Sequence, residues 1–127
     1  MVSIMSSEIP RPTDIRLHRA SRVLELAFDD GTRFKLSCEY LRVYSPSAEV
    51  RGHAPGQEVL QVGKEGVNIT AIEPVGNYAV KLYFDDGHNT GLYSWDWLYK
   101  LGTQQEARWR DYLAQLAKAG YQRTIPA

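Results

Sequence analysis

Two stretches of this chain carry the same pattern of apolar and polar positions. Residues 24–41 read LELAFDDGTRFKLSCEYL, and residues 78–98 read YAVKLYFDDGHNTGLYSWDWL. Phe28, Asp29, Asp30 and Gly31 match Phe84, Asp85, Asp86 and Gly87. After a one-residue shift, Ser37, Glu39, Tyr40 and Leu41 match Ser94, Asp96, Trp97 and Leu98. Alternation with period two predicts strands half-buried against a core. Asp-Asp-Gly predicts a hairpin turn, because glycine enters the left-handed region and Asp bonds its own backbone. The serine that follows predicts a helix start, since its hydroxyl caps an orphan N–H. The unit is a hairpin followed by a helix, used twice.

The rest of the chain fills in around this unit. Residues 14–19 alternate Ile15 and Leu17 with charged neighbours, and residues 22–28 place Leu24, Leu26 and Phe28 on one face. A tight turn at Ala20-Ser21 joins the two strands. Residues 32–36 return, and Pro46 ends the helix begun at Ser37. Residues 45–57, rich in proline, glycine and small polar residues, predict a long loop. Residues 59–62 predict a short strand. Residues 68–75 and 78–84 predict a hairpin around Gly76-Asn77, with Tyr78, Val80, Leu82 and Phe84 sharing a face. Ser94 opens a helix running to about Leu101. Thr103-Gln104-Gln105-Glu106 has the form of a capping box. Trp109, Tyr112, Leu113, Leu116 and Ala117 then make one apolar stripe, which serves either the core or a partner helix. Gly120 is placed to end that helix. The expected fold is α+β: antiparallel β hairpins with short helices after matching hairpins, and a C-terminal amphipathic helix, about 103–119, packed on the sheet. Residues 1–12 are expected as a flexible lead-in and residues 13–127 as a single domain.

Composition narrows the function classes. At 127 residues and 43% apolar content, one core is feasible without staples. Lys plus Arg and Asp plus Glu are both 15. That balance lacks the basic footprint of a dedicated nucleic-acid or anionic-membrane binder. Arg11, Arg16, His18, Arg19 and Arg22 do form a local basic cluster. It reads as a charged, protected strand edge or as a phosphate-binding arm. Cys38 is the single cysteine, so no internal disulfide can form, which fits a reducing compartment. No apolar run approaches the roughly 18 residues of a membrane span. The expected location is cytoplasmic.

Candidate chemistry is sparse. No phosphate-binding loop, dinucleotide fingerprint, nucleophile elbow or zinc-protease motif is present. His18, His53 and His88 are scattered. Cys38, His53 and His88 could share a metal or form a nucleophilic pair only if the fold brings them together. Cys38 in the first turn of a helix would have a modestly lowered pKa, or it is simply a packing residue. Asp29-Asp30 and Asp85-Asp86 suit turns better than acid–base work. His88 is not required by its turn, since the first copy has Thr32 there. Trp95 and Trp97 diverge by about 200° around a helix, so one of them is expected to face a partner.

Leu41-Arg42-x-x-Ser45-Pro46, then Asp86-Gly87-His88 and Tyr93-Ser94-Trp95-x-x-Leu98, resemble the N-terminal domain of gamma-butyrobetaine hydroxylase and its stand-alone bacterial relatives, a domain of unknown function. In the hydroxylases that domain is a small zinc module, with three cysteines and the Asp-Gly-His histidine as ligands. The resemblance places the cysteine positions on Ser45, Ser47 and Val50, and the histidine on His88. Serine and valine cannot replace thiolates on zinc, so the family's structural zinc is expected to be absent, with no other cofactor. The geometry should survive, with residues 45–50 lying against the His88 turn. The iron(II)/2-oxoglutarate chemistry of the hydroxylases belongs to a separate domain and does not transfer. Similar domains also occur fused to Mrp/ApbC-type ATPases linked to iron–sulfur cluster assembly.

The first functional expectation is therefore a non-catalytic accessory domain that binds a protein partner, with iron–sulfur or metalloenzyme maturation as its setting. Arg42, Tyr44, His53, His88 and Trp95 form the expected interaction surface; the alternative is that Arg42 and His88 merely pin the loop. The second expectation is residual metal binding, or a small enzyme, using His88, His53 and Cys38. Nucleic acid and membrane are not expected partners.

Overall fold

The computed structural model describes residues 10–52 and 56–124. Six strands and four helices follow the order β1 (Pro12–His18), β2 (Val23–Phe28), β3 (Arg33–Ser37), α1 (Cys38–Val43), α2 (Ala48–Arg51), β4 (Ile69–Val75), β5 (Ala79–Phe84), β6 (Leu92–Ser94), α3 (Trp95–Thr103) and α4 (Gln105–Lys118). Two three-stranded antiparallel sheets form, β1-β2-β3 and β4-β5-β6. The fold is α+β. The repeated unit is larger than a hairpin and a helix: each copy is three strands and a helix.

The backbone bonds of the two copies correspond closely. Phe28 N–H donates to Thr32 C=O at 2.8 Å, and Phe84 N–H to His88 C=O at 3.0 Å. Gly31 and Gly87 sit at φ 88° and 90°, the left-handed region these turns require. Asp30 Oδ1 accepts the Thr32 N–H, and Asp86 Oδ1 accepts the His88 N–H. Ser37 Oγ accepts the Tyr40 N–H and Ser94 Oγ the Trp97 N–H, each at the start of its helix. The Asp-Asp-Gly segments are turn chemistry in both copies.

One core serves both sheets. Leu24, Leu26, Phe28 and Leu36 from the first meet Ile69, Val80, Leu82 and Tyr93 from the second, together with Leu41, Leu98 and Leu101 of the helices. The helices are cross-stitched. Tyr40 of α1 donates its hydroxyl to Leu101 C=O of α3, and Trp97 of α3 donates its indole N–H to Tyr44 C=O at the end of α1. Cys38 is fully buried in this core, with Sγ 3.7 Å from Asn68 Oδ1. Burial raises its thiol pKa, which overrides the modest lowering expected from the helix start. Cys38 is a packing residue.

Several expectations need correction. Residues 59–62 form no strand; Val59 and Val62 are exposed. Residues 45–57 are not all loop, because Ser47 caps the single turn α2 through the Glu49 N–H. Tyr78 lies outside β5 and is exposed, so the buried face there is Val80, Leu82 and Phe84. Arg22, expected in the second strand, is a turn residue at φ 55°. The capping box does not form: Thr103 is the last residue of α3 and donates its hydroxyl back to Lys100 C=O. Gln104 then starts α4 without a side-chain cap.

Helix α4 follows the strands as expected. Its buried face, Tyr112 and Leu116, meets Val43 of α1 and Leu60, while Trp109 joins both clusters. Leu113 is exposed, so the stripe is narrower than its spacing suggests. Gly120, at φ 77°, closes the helix: its N–H reaches Ala117 C=O and the Tyr121 N–H reaches Leu116 C=O. The basic N-terminal cluster lies on and beside β1, an edge strand, with Arg16 paired to Asp14 and His18 to Glu25. That placement matches a charge-protected edge. The expected lead-in falls largely outside the described residues, and β1 already starts at Pro12. Among the described residues no helix is long and apolar enough to cross a membrane.

Candidate functional site

The two copies differ most after the Asp-Asp-Gly turn. In the first, β3 pairs with β2 from Arg33 to Ser37; in the second, β6 pairs with β5 only from Leu92 to Ser94. Residues 89–91 leave the ladder and turn to the segment after α1. Ser45 Oγ lies 2.8 Å from His88 Nε2, and Ser47 Oγ lies 2.7 Å from Thr90 Oγ1. The expected contact between residues 45–50 and the His88 turn is present. Gly91 permits it, since a Cβ there would meet Ser45 Oγ and Pro46 Cδ well inside van der Waals contact.

Charge holds this corner from behind. Arg42 Nε donates to Asp86 Oδ2 at 2.9 Å, and Lys64 Nζ donates to the same oxygen at 2.7 Å. Burial alone would raise the Asp86 pKa. Bonds from Lys64, the His88 N–H and Arg42 outweigh it and bring the carboxyl down to about 2. Arg42 is 7% exposed, and its Nη1 is buried without a partner among the described residues. His88 is 6% exposed. Burial and the neighbouring Arg42 charge lower its pKa, so it is a neutral imidazole at pH 7. Ser45 Oγ already accepts the Ser47 N–H. Its own hydrogen is then available to Nε2, which fits a ring protonated at Nδ1 and facing Glu49 Oε1 at 3.7 Å.

These groups outline a serine–histidine–carboxylate line. A nucleophile must meet its substrate, however, and Ser45 has no exposed surface. The arrangement ties two segments together. The donor set does not fit the zinc of the resembling hydroxylase domains: two hydroxyls are committed to hydrogen bonds, Val50 has no donor atom, and the histidine nitrogen is taken by Ser45. No group of three or more His, Cys, Asp or Glu able to hold a metal occurs among the described residues. Cys38 is bonded to Asn68 in the core, not to His88. His53 lies outside the described residues.

Two consequences follow for the corner. Ser45→Ala leaves a buried imidazole nitrogen and the Ser47 N–H without their partner. It is expected to cost about 1–3 kcal/mol, read as a lower Tm, with the zinc content unchanged. The lowered His88 pKa also has a sign. The unfolded histidine binds a proton near pH 6.5 while the folded one resists, so stability is full above that pH. It is lost as pH falls through the folded pKa. His88→Gln should flatten that part of a Tm-against-pH curve below about pH 6.5.

The expected interaction surface needs a second correction. Arg42 and His88 are buried and internally bonded, so neither is offered to a partner. Trp95 is half-buried, its indole N–H donated to Asn77 C=O at 2.7 Å. Trp97 is half-buried too, its indole N–H donated to Tyr44 C=O. It lines a cavity of about 400 Å³ together with Tyr44, Arg51, Arg108, Val59 and Leu60. The Arg51 guanidinium lies 5.0 Å from the Trp97 ring centroid. That of Arg108 lies 4.9 Å from the same centroid and 5.4 Å from that of Tyr44. Among the described residues of the expected surface, only Tyr44 reaches this cavity. An arginine on each side of residues 52–107 gives no sequence signal of convergence; α2 and α4 have to fold first.

A family model described as gamma-butyrobetaine hydroxylase-like, N-terminal, matches residues 15–99. Comparison with curated proteins finds no match. One similar structure, solved by NMR in solution, is 55% identical at a TM-score of 0.80, covering 100% of this chain and 93% of that one. A second NMR structure is 48% identical, again at 0.80, covering 94% of each. A crystal structure of a protein of unknown function from Acidithiobacillus ferrooxidans, of the DUF971 family, is 40% identical at a TM-score of 0.61. It covers 72% of this chain and 92% of that one. With a family match over most of its length, this chain belongs to the gamma-butyrobetaine hydroxylase-like N-terminal family.

Proposed function

We propose that this chain is a non-catalytic module that docks a protein partner, and that the docking face is the cavity bounded by Tyr44, Trp97, Arg51 and Arg108. One observation carries this reading. The residue types that dominate binding hot spots, aromatics and arginine, gather around an open concavity of about 400 Å³ with the exposed Val59 on its wall. The polar corner at His88 is closed by comparison. A cytoplasmic setting is read from the single cysteine and the lack of a membrane-length apolar run, and a role in iron–sulfur or metalloenzyme maturation from the resemblance; both say where to look for the partner. The module is read as free of structural zinc and of contact with nucleic acid or membrane; elemental analysis of natively purified protein should find well under one zinc per chain.

The test is a rim variant. Val59→Arg adds bulk and charge at an exposed position. It should leave Tm unchanged and abolish binding of a partner captured by the wild type and then re-bound as purified protein. Undiminished binding by Val59→Arg would remove the cavity from the interface.

A further inference from the structure

We propose that the cavity recognises an acidic linear segment of the partner, with one carboxylate held by Arg51 and Arg108 over Trp97. This rests on the docking face proposed above and names the chemistry that fills it.

The guanidiniums are the first argument. Among the described residues neither Arg51 nor Arg108 pairs with a carboxylate. Among the described residues Arg108 spends only its Nε, on Gln104 Oε1 at 2.8 Å, and Arg51 makes no side-chain hydrogen bond. Four other arginines are paired, Arg16 with Asp14, Arg42 with Asp86, Arg110 with Glu106 and Arg123 with Glu39, while Arg11, Arg19, Arg22 and Arg33 make no such pair among the described residues. Of the arginines without a carboxylate, Arg51 and Arg108 stack on the same indole. Stacking on an aromatic face fixes a guanidinium's plane and leaves its edge donors pointing outward, the geometry that takes a carboxylate.

The cavity's own acids choose between anions. Glu58 and Asp111 line it too, so its charges balance. A dianionic phosphate would meet two carboxylates as well as two guanidiniums. A single carboxylate on a peptide meets the guanidiniums, while the peptide's amide N–H groups suit Glu58 and Asp111. The apolar residues Val59 and Leu60 accommodate a hydrophobic neighbour of the acid. A cavity of this size lies within the usual range for ligand pockets and takes two or three side chains.

The site is also more than the family core. Arg108 and Asp111 belong to α4, beyond the residues 15–99 matched by the family model. The C-terminal helix, packed on α1, completes the recognition face.

The experiment probes the whole chain with immobilised acetylated, amidated hexapeptides, randomised except at one central position fixed as Glu, Gln or phosphoserine. Glu peptides should be enriched about tenfold over Gln peptides, the equivalent of one good charge-assisted contact. Arg51→Gln with Arg108→Gln should erase that preference at unchanged Tm. Equal retention of Glu and Gln peptides, a preference for phosphoserine, or a preference surviving in the double variant would each overturn the carboxylate assignment. The docking face is judged separately: a partner still displaced by Val59→Arg, with no acidic preference in the peptides, overturns the ligand chemistry and keeps the face.

Discussion

Asp86→Ala is expected to destabilise this protein by about 3–4 kcal/mol, measured by urea denaturation at pH 7. The side chain accepts from Arg42, Lys64 and the His88 N–H. Removing it leaves the Arg42 guanidinium buried with no carboxylate, the situation that makes broken buried pairs costly. The repeat supplies the control. Asp30 holds the matching turn, accepting from the Thr32 N–H and hydroxyl and from the Tyr99 hydroxyl, but it is exposed and no buried arginine depends on it. Asp30→Ala should therefore cost about 1–2 kcal/mol, the scale of a few solvent-exposed hydrogen bonds. Adding Arg42→Met to Asp86→Ala should recover part of the loss by removing the stranded charge. Acid should act the same way. With a folded pKa of about 2, below the ordinary carboxylate value, Asp86 contributes stability that is full above about pH 4 and is lost as pH falls toward 2. The Asp86→Ala variant should lack that component of acid unfolding. Equal costs for the two turns would contradict the role given to Arg42.

Gly102→Ala is the second large effect, and its sign is the test. In an exposed helix interior this change stabilises by about 1 kcal/mol. Gly102 is instead buried in α3, and a Cβ there would stand 2.5 Å from Phe34 Cγ and 2.6 Å from Cε2. Cγ is the root of the ring, so Phe34 cannot clear the space by moving only its tip. Phe34 is also fixed edge-on against Phe28 and Tyr99. The expected outcome is destabilisation of about 2 kcal/mol from overpacking. Gly102→Ala combined with Phe34→Leu should lose less than the two single changes together, since the substituted side chain yields room. A stabilised Gly102→Ala would mean that α3 does not sit against β3 as described.

Features local in the chain were legible. Both Asp-Asp-Gly turns and both serine caps are set by residues within a few positions of one another, so their spacing announced them. The Ser45–His88 contact is long-range, and it came from the family resemblance. What stayed hidden depended on packing. Residues 59–62 resembled a short strand, yet among the described residues no neighbouring strand offers them a ladder. Thr103 had the look of a cap because α3 was expected to end two residues earlier; once α3 runs on, its hydroxyl serves Lys100. Ser47 was read as loop because α2 is a single turn. The choice between Trp95 and Trp97 was undecidable from the helix alone. The folded neighbours differ: α4 stacks Arg108 on Trp97 beside the cavity, and the β4–β5 turn takes the Trp95 N–H at Asn77. Arg42 and His88 have the composition of a binding surface, and only their burial reassigns them to holding the fold.

The central claim is that recognition belongs to the Trp97 cavity, while the His88 corner is structural. Quantitative capture from the source organism, with three baits compared below their melting temperatures, tests this most directly. Arg51→Gln with Arg108→Gln should keep the wild-type Tm and lose a specific partner. Ser45→Ala should lower Tm and keep that partner. The reverse pattern, with the partner lost from Ser45→Ala and retained by the double arginine variant, would contradict the account.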